Sequence, residues 1–337
     1  MKTYNVGIIG AGRIGKVHAQ SITNLIPNVK IKAVMDVYLD GVREWADTMG
    51  IQDVYGDYND LLADPEIDAV LVCSSTDTHA EISIAAAKAG KHIFCEKPID
   101  LDLDRIEKVL ATVKETGVKF QVGFNRRFDH NFARIKQVTK DGTIGDPHII
   151  KITSRDPEPP PVSYVKVSGG LFFDMAIHDF DMARFQAGSE VTEVYSIGDS
   201  LVDPEIGKAG DVDTAVTTLK FANGAIAVID NSRKAVYGYD QRVEVFGSKG
   251  SIETRNDQAT NTILRTEAAV SVDKPLYFFL ERYMASFAEE VKQFFEAVDQ
   301  DTEVPVGGID GLNAVIIAMA ATKSLKEGRP VKISEIR

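Results

Sequence analysis

Residues 4–15 read YNVGIIGAGRIG, an apolar run that leads directly into three closely spaced glycines. The run predicts a buried β-strand, and the pattern that follows Gly15 predicts a helix. Gly10, Gly12 and Gly15 form a G-x-G-x-x-G match at the turn between that strand and that helix. The stretch therefore predicts the first strand, turn and helix of a parallel α/β sheet.

The same three glycines suggest a ligand. In such a turn the first glycine permits the bend, the second lets the backbone approach a pyrophosphate, and the third lets helix and strand pack closely. Asp36 ends the second predicted strand, where its carboxylate can accept hydrogen bonds from ribose hydroxyls. Its neighbours Val37, Tyr38 and Leu39 supply no cation for a 2′-phosphate. The sequence predicts dinucleotide binding, with NAD favoured over NADP.

Residues 1–123 are predicted to form one dinucleotide-binding domain with a doubly wound parallel sheet. Short apolar runs alternate there with helical patterns, which is typical of a Rossmann fold. After the first strand, strands are predicted at 29–36, 68–75, 91–98 and 118–124, with helices at 79–90 and 103–117.

Residues 124–337 are predicted to form a second domain of α+β type with an open, mostly antiparallel sheet. Most of its strands follow one another without intervening helices, and Asn223-Gly224 and the GSKG of 247–250 indicate hairpins. The predicted strands are 148–155, 191–198, 214–221, 225–232, 242–247, 251–255 and 331–333, and the predicted late helices are 276–298 and 311–326.

Composition narrows the class of protein. The chain has 337 residues and a net charge of −12, with 44% hydrophobic and 26% charged residues, as in globular proteins. The negative charge argues against nucleic acid or an anionic membrane as a partner, and the apolar run 314–321 is too short to span a bilayer. Cys73 and Cys95 are predicted to be buried thiols in a reducing, cytoplasmic setting. No signal-peptide pattern precedes the first strand.

A second informative stretch is DMAIHDFDMARF at 174–185. Steps of four and three residues place Asp174, His178 and Asp181 on one helical face, while Asp179 points elsewhere and is predicted to be a solvated or ion-paired charge. The face could hold a metal ion in a hydrolase or lyase, because His and Asp one turn apart can share a cation. It could equally hold an acid–base pair, because the ordinary pKa of histidine, about 6.5, lies near neutrality.

Glu96-Lys97-Pro98 follows a predicted strand at the sheet edge where doubly wound folds bind ligands. Oxidation of a secondary alcohol needs a base for the hydroxyl proton and a group that stabilises the developing alkoxide. His178 can act as the base, Asp174 can hold its imidazole, and the Lys97 ammonium can stabilise the oxygen. No metal is required, because lysine supplies the positive charge.

The chain resembles the Gfo/Idh/MocA family of oxidoreductases over essentially its whole length. The matching motifs, in order, are GAGRIG at 10–15, SSTDTHAE at 74–81, CEKP at 95–98, GFNRRFD at 123–129 and GGLFFDMAIHDFDMARF at 169–185. The resemblance implies an N-terminal Rossmann domain, a C-terminal domain built on an open, mostly antiparallel sheet, and homotetramers assembled through that sheet. It also implies that Lys97, Asp174 and His178 are catalytic.

Ligand contacts are expected from the residue types and motifs, and for Arg127 and Tyr237 the resemblance also implies contact with the substrate or its pocket. Cofactor contacts are expected at Gly10, Gly12, Arg13, Ile14, Gly15, Asp36, Val37, Ser74, Ser75, Thr76, His79, Glu96, Lys97 and Asn125. Substrate contacts are expected at Lys97, Asn125, Arg127, Asp156, Asp174, His178 and Tyr237, with Asp181 and Tyr239 as further candidates.

Tyr237–Asp240, YGYD, is similar to a segment in the family's inositol dehydrogenases. The implied activity is NAD-dependent oxidation of a secondary hydroxyl of myo-inositol, or a close stereoisomer, to an inosose. The segment SRDPEPPP at 154–161 departs from these relatives, because some carry an Asn-Pro pair there. Another cyclic polyol or an aldose therefore stays open as the substrate, as does the question of whether 156–161 is a plain loop or a lid.

A non-catalytic regulator that binds NAD and a sugar is a further alternative. Such relatives tend to lose the lysine and histidine pair, whereas this chain keeps both Lys97 and His178. An active enzyme is therefore the favoured prediction.

Overall fold

The computed structural model describes Lys2–Arg337 and divides into two compact units. The first unit contains the chain up to Phe128 together with Met284–Val315. The second contains Asp129–Tyr283 together with Ile316–Arg337. Each unit therefore combines an early and a late segment of the chain.

A parallel sheet lies at the centre of the first unit. Its strands are β1 (Tyr4–Ile9), β2 (Val29–Met35), β3 (Asp53–Tyr55), β4 (Ala69–Val72), β5 (His92–Glu96) and β6 (Phe120–Gly123), in the order β3-β2-β1-β4-β5-β6. All neighbouring strands are parallel. Every residue of β4, AVLV, is buried, because helices cover both faces of such a sheet. The strand order reverses between β1 and β4, which is where this fold binds ligands.

Helices connect these strands. They are α1 (Arg13–Leu25), α2 (Leu39–Met49), α3 (Tyr58–Ala63), α4 (Thr76–Lys88) and α5 (Leu103–Thr116), and a 3₁₀ turn covers Asn125–Phe128. Asp57 and Asp102 begin α3 and α5 by accepting hydrogen bonds from backbone N–H groups. Gly50 and Gly117 end α2 and α5 in the left-handed conformation. Local sequence therefore accounts for these boundaries.

A mixed, mostly antiparallel sheet forms the second unit. Its strands are β7 (Pro147–Arg155), β8 (Val191–Asp199), β9 (Thr214–Phe221), β10 (Ile226–Ser232), β11 (Asp240–Gly247) and β12 (Gly250–Glu253), and a separate pair consists of β13 (Ile263–Arg265) and β14 (Val270–Val272). The last strand, β15 (Val331–Lys332), lies at one edge of the sheet, and the strand order is β12-β11-β7-β10-β9-β8-β15. Within it, β7 and β10 pair in parallel.

Six helices lie between Asp129 and Tyr283, and some of them pack against one face of this sheet. They are α6 (His130–Lys140), α7 (Val162–Val165), α8 (Gly170–Asp174), α9 (Ala176–Ala187), α10 (Pro204–Lys208) and α11 (Phe279–Arg282). The helix α9 packs against β7 and β10 and is buried over most of its length. The opposite face stays open, and it exposes apolar side chains that are between 37% and 48% accessible, namely Ile149, Val216, Ile226 and Phe246.

Two late helices complete the chain, α12 (Met284–Gln300) and α13 (Gly308–Glu327), before a final 3₁₀ turn at Ile333–Glu335. The helix α12 belongs to the core of the first unit although it follows β6 by more than 150 residues. The Phe294 ring lies 6.1 Å from the Phe94 ring, and the Phe295 ring lies 5.4 Å from the Tyr4 ring. Burial of these aromatic rings fixes α12 against β1 and β5.

The fold class predicted from the sequence is confirmed. The hairpin predicted at Asn223-Gly224 joins β9 to β10, and the one predicted at 247–250 joins β11 to β12. The single helix predicted at 276–298 is wrong in extent, because Tyr283 (φ −117°, ψ 13°) leaves helical geometry between α11 and α12. The β13–β14 pair went unpredicted because all of its residues are exposed, so it lacks a buried periodicity.

None of the helices between Lys2 and Arg337 combines the length and the apolarity needed to cross a lipid bilayer.

Cys73 and Cys95 are free and buried, as predicted. Burial raises the pKa of Cys95 to about 12, so this thiol stays protonated at neutral pH.

Candidate functional site

The glycine turn between β1 and α1 has crowded ends and an open middle. Gly10 has a φ of +98°, and a Cβ there would lie 2.6 Å from the backbone carbonyl of Cys73. A Cβ on Gly15 would lie 2.0 Å from the carbonyl oxygen of Gly10. A Cβ on Gly12 meets no heavy atom within 4 Å. Folding therefore requires glycine at positions 10 and 15, whereas the space beside Gly12 is open to a ligand.

The helix α1 begins at this open space. Its N-cap residue is Gly12, which has no side chain to cap the helix, and its first turn, which includes Arg13 and Ile14, contains no acidic residue. N–H groups at such a helix start attract anions, through their own donors and through the helix dipole. The turn therefore fits the pyrophosphate of a dinucleotide.

Asp36 directly follows β2, beside the glycine turn. Its Oδ2 accepts a hydrogen bond of 2.8 Å from the N–H of Ala11, and its Oδ1 accepts one of 2.9 Å from the N–H of Tyr38. The carboxylate thus holds the turn, and its remaining lone pairs can still accept from ribose hydroxyls. Val37 and Tyr38 are 70% and 81% exposed beside it.

The predicted cofactor residues after β4 form a connected loop. The hydroxyl oxygens of Ser74 and Thr78 lie 2.7 Å apart, and Ser75 is the N-cap residue of α4, which begins at Thr76. His79 is buried, with Nδ1 2.8 Å from the carbonyl oxygen of Pro98 and Nε2 3.0 Å from that of Ser74. This imidazole links the ends of β4 and β5, so it supports the ligand-binding edge from within.

The end of β5 carries Glu96 and Lys97. Glu96 is buried, and its Oε1 lies 2.7 Å from Nε2 of His18, a residue that the sequence did not single out. Lys97 is half-buried, and its peptide bond to Pro98 is cis.

Among the predicted residues after β6, Asn125 is buried. Nη2 of Arg127 donates a 2.9 Å hydrogen bond to Asp310, so this guanidinium forms an ion pair within the first unit.

In the second unit, Asp174 ends α8 and is held by two donors. The hydroxyl of Tyr164 donates to its Oδ1 at 3.0 Å, and Nη1 of Arg233 donates to its Oδ2 at 3.0 Å. Nη1 of Arg233 also lies 3.8 Å from Oδ2 of Asp156. Arg233, 2% exposed, therefore brings together two predicted site residues by charge-assisted contacts. Sequence reasoning missed it, although it directly follows the strand predicted at 225–232.

The two glycines at the start of α8 have a structural role. Both Gly169 and Gly170 have a φ of +82°, and a Cβ on Gly170 would lie 2.6 Å from Oδ1 of Asp211. The Asp211 carboxylate accepts the N–H of Leu171 at 2.9 Å, and burial raises the pKa of Asp211. The start of α8, and with it the position of Asp174, thus depends on this close approach.

His178, Asp179 and Asp181 lie on α9. Nδ1 of His178 is buried. Asp179 was predicted to be a solvated or ion-paired charge, and the solvated alternative is wrong: the side chain is fully buried, and Nδ2 of Asn231 donates to it at 2.8 Å. Asp181 is buried too and lies 3.8 Å from Arg184. These carboxylates are buried because α9 is covered on nearly all sides, so helical periodicity could not tell its faces apart.

Tyr237 lies on the open face of the sheet, in a cleft of about 540 Å³ that Arg155 and Asp230 also line. Its hydroxyl donates to Asp240 at 2.6 Å and accepts from Arg155 at 3.1 Å. Tyr239, by contrast, is buried in the aromatic core. Its ring stacks edge-on against Phe278 at 5.5 Å and Tyr283 at 5.9 Å.

Within Lys2–Arg337, two groups bring three potential metal-ligand atoms within 4.8 Å of one another, and Asp174–His178–Asp181 is neither of them. They are His18–Glu96–Glu290 and Asp129–His130–Asp257. In the second group the guanidinium of Arg282 contacts Asp129 and lies 3.0 Å from Asp257, so a cation is already supplied by the chain.

In comparison with known proteins, segments of both units match domains described for the same protein family. Residues 4–124 match a family described as an oxidoreductase family with an NAD-binding Rossmann fold. Residues 132–253 match the GFO/IDH/MocA C-terminal domain.

Curated relatives align over almost the whole chain. The "Uncharacterized oxidoreductase YrbE" of Bacillus subtilis is 56% identical, over 97% of this chain and 96% of the relative. The "Myo-inositol 2-dehydrogenase" of Thermotoga maritima is 52% identical, over 98% of this chain and 99% of the relative.

Solved structures of inositol dehydrogenases have the same fold as this chain. A myo-inositol dehydrogenase from Corynebacterium glutamicum superposes with a TM-score of 0.94 at 35% identity, covering 98% of each chain. The scyllo-inositol dehydrogenase from Lactobacillus casei, solved with bound NAD(H) and scyllo-inositol, superposes with a TM-score of 0.93 at 31% identity, covering 99% of this chain and all of that one.

Replacement of Gly12 by alanine is expected to leave folding intact and to weaken dinucleotide binding. Because the added methyl group meets no atom of the protein, the free energy of unfolding should change by less than about 0.5 kcal/mol. The affinity for NADH, measured by fluorescence titration, should fall by roughly 10- to 100-fold, because the added methyl group would occupy space that the bound dinucleotide needs.

The matched control is Gly15→Ala, whose Cβ meets the backbone and should lower the free energy of unfolding by about 1–3 kcal/mol. Equal destabilisation by the two substitutions would contradict the assignment of Gly12 to a ligand.

Proposed function

The chain belongs to the Gfo/Idh/MocA family of oxidoreductases, and on that premise we propose that it oxidises myo-inositol, or a close stereoisomer, to an inosose with NAD. The observation that carries the proposal is the glycine turn, because the space beside Gly12 serves no packing purpose within the chain. The family's NAD-binding Rossmann fold accounts for that space. The choice of inositol rests on relatives named for inositol oxidation.

The residues of the first unit fit the cofactor. When bound, NAD supplies the acceptor for the hydride that leaves the carbinol carbon. We assign its pyrophosphate to the N–H groups at the start of α1 and its ribose to Asp36. A 2′-phosphate would meet the Asp36 carboxylate with no cation from Val37 or Tyr38, which supports NAD over NADP. The remaining assigned contacts are Ser74, Ser75, Thr76, Glu96, Lys97 and Asn125, at or after the carboxyl ends of β4, β5 and β6.

We assign the chemistry to three side chains. Nε2 of His178 accepts the hydroxyl proton, because Nδ1 is buried. Asp174, oriented by Tyr164 and Arg233, stabilises the imidazolium that forms. The Lys97 ammonium donates to the reacting oxygen and stabilises its developing negative charge. The hydroxyl proton thus moves to His178, and the carbinol carbon becomes a ketone.

Recognition of a polyol requires donors and acceptors for its other hydroxyls, because each one loses water on binding. We propose that Asp156 and Asp174, which share Arg233, bind hydroxyls of the substrate. Asn125 and Arg127 are proposed as further contacts. Tyr237 is proposed to contribute its ring, because its hydroxyl already donates to Asp240.

We further propose that the protein is a cytoplasmic homotetramer. The open face of the second sheet supports an assembly surface, because exposed apolar side chains such as Val216 and Phe246 lie on it. Light scattering of the purified protein should give four times the chain mass of 36.9 kDa, and a monomer would contradict the proposal.

The purified protein is expected to reduce NAD with myo-inositol, scyllo-inositol or D-chiro-inositol faster than with glucose or xylose. NADH formation should be followed for each compound with NAD and, separately, with NADP. If no inositol supports turnover but glucose or xylose does, the proposed substrate class is wrong. If NADP supports turnover as well as NAD does, the role assigned to Asp36 is wrong. If nothing turns over, a non-catalytic binding protein becomes the better interpretation.

Replacement of His178 by alanine should lower kcat by about 10²- to 10⁴-fold, because the proton would lose its acceptor. His130→Ala is a suitable control, since this side chain is 67% exposed and lies outside α9. An unchanged kcat in the His178 variant would remove this residue from the mechanism.

A further inference from the structure

A buried cluster of His18, Glu96 and Glu290 lies in the first unit, behind the ligand-binding end of β5. It joins α1, β5 and α12, and the three side chains are 0%, 8% and 0% exposed. The ring of His18 is enclosed edge-on by Phe94 at 5.1 Å and by Phe287 at 5.7 Å. Aromatic rings therefore enclose the His18 side of the cluster.

Within the described chain, neither carboxyl oxygen of Glu290 has a hydrogen-bond partner. An ionised carboxylate in such a place would lose its hydration without compensation. Burial, and then the nearby charge of Glu96, raises the pKa of Glu290 well above its usual range. Both effects favour the neutral acid.

The groups around Glu290 do not oppose this protonation state. Cys73 follows β4 and Cys95 lies on β5, and burial raises the pKa of both thiols, so they remain neutral. From β6, Gln121 donates to the main-chain carbonyl of Glu290 at 2.9 Å, not to its carboxyl group. Within the cluster, His18 is the group that can carry a positive charge, and it already pairs with Glu96.

A metal ion explains the cluster less well. Nε2 of His18 and Oε1 of Glu96 are 2.7 Å apart, the length of a charge-assisted hydrogen bond. Two ligand atoms on a tetrahedral Zn²⁺ with bonds of about 2.1 Å would lie roughly 3.4 Å apart. The pair is therefore bonded directly through a proton.

We propose that Glu290 is a neutral acid beside the hydrogen-bonded pair of His18 and Glu96, and that this cluster positions the Glu96-Lys97 segment for the reaction. Glu96 is the side chain immediately before the proposed catalytic lysine, so its orientation fixes the backbone from which Lys97 extends. The space for it depends on Gly123, because a Cβ there would lie 3.0 Å from Oε2 of Glu96. The positioning role rests on the proposed dehydrogenase function, whereas the protonation of Glu290 does not.

Thermal unfolding of Glu290→Gln tests the protonation. The neutral acid makes the folded state hold a proton that the unfolded state releases above its ordinary pKa of about 4.3, so the contribution of Glu290 to the stability of the unaltered protein falls as pH rises. Glutamine cannot ionise and does not share this loss. The stability of the variant relative to the unaltered protein should therefore increase from pH 5 to pH 8. Unfolding can be followed by the fluorescence of Trp45, the one tryptophan, which packs against the hydrophobic core of the first unit.

Glu289→Gln is the matched control, because Glu289 is the preceding residue on α12 and is partly exposed. Its stability relative to the unaltered protein should show no such increase. If the difference in stability between Glu290→Gln and the unaltered protein does not change with pH, Glu290 is not a neutral acid. The proposal would also be overturned if the purified protein contained one metal ion per chain and the Glu290→Gln variant did not. If the variant fails to fold, infrared spectra of the unaltered protein decide: a carboxylic-acid carbonyl band that persists at neutral pH supports the proposal, and its absence overturns it.

Kinetics of His18→Asn test the positioning. This change removes the partner of Glu96 on its interior side, and His18 itself is not one of the assigned cofactor contacts. It should lower kcat by roughly 10- to 100-fold through misplacement of Lys97, while the affinity for NADH changes by less than about threefold. An unchanged kcat would overturn the positioning role. Inactivity of the unaltered protein would instead refute the proposed function, and the unfolding and infrared measurements would still decide the state of Glu290.

Discussion

The hydrogen bond from the N–H of Ala11 to the carboxylate of Asp36 is the constraint on which the first unit's site depends. Together with the bond from the Gly10 N–H to the Met35 carbonyl, it fixes the glycine turn against the end of β2. The direction of α1 follows from that turn. Because α1 starts at the turn, its second turn brings His18 under the end of β5, where it meets Glu96. One helix thus begins at the proposed pyrophosphate site and also supports the proposed catalytic lysine from behind.

Much of this architecture could be predicted from the sequence. Apolar runs and helical patterns gave the strands and helices, and the glycine signature gave the position of the turn and of Asp36. The sequence could not show that the Asp36 carboxylate also accepts hydrogen bonds from the N–H groups of Ala11 and Tyr38. Arg233 and Glu290 were missed for a related reason: each acts through a contact distant in sequence, and neither belongs to a local motif. The burial of Asp179 was missed because a helix that is covered all round has no polar face.

The protein accommodates buried charge in two physical ways. Around Asp174 the negative charge is met by a guanidinium and a phenol, so the carboxylate is kept in place by donors. In the His18 cluster one carboxylate has the His18 imidazole as its hydrogen-bond partner, and the other, on our proposal, avoids charge by keeping its proton. The first arrangement suits a group that acts on substrate, because its charge is available. The second suits a support, because a neutral acid exerts little field on its neighbours.

The contrast between Gly12 and Gly15 bears on how this turn can change over evolutionary time. A screen that selects for folding alone would reject most substitutions at Gly15 and would overlook those at Gly12, where the space around the Cβ is vacant. Relaxed selection for the ligand would therefore erode the motif from its middle glycine while both outer glycines persist. The state of position 12 thus records whether a chain of this fold still depends on its ligand, separately from whether it still folds.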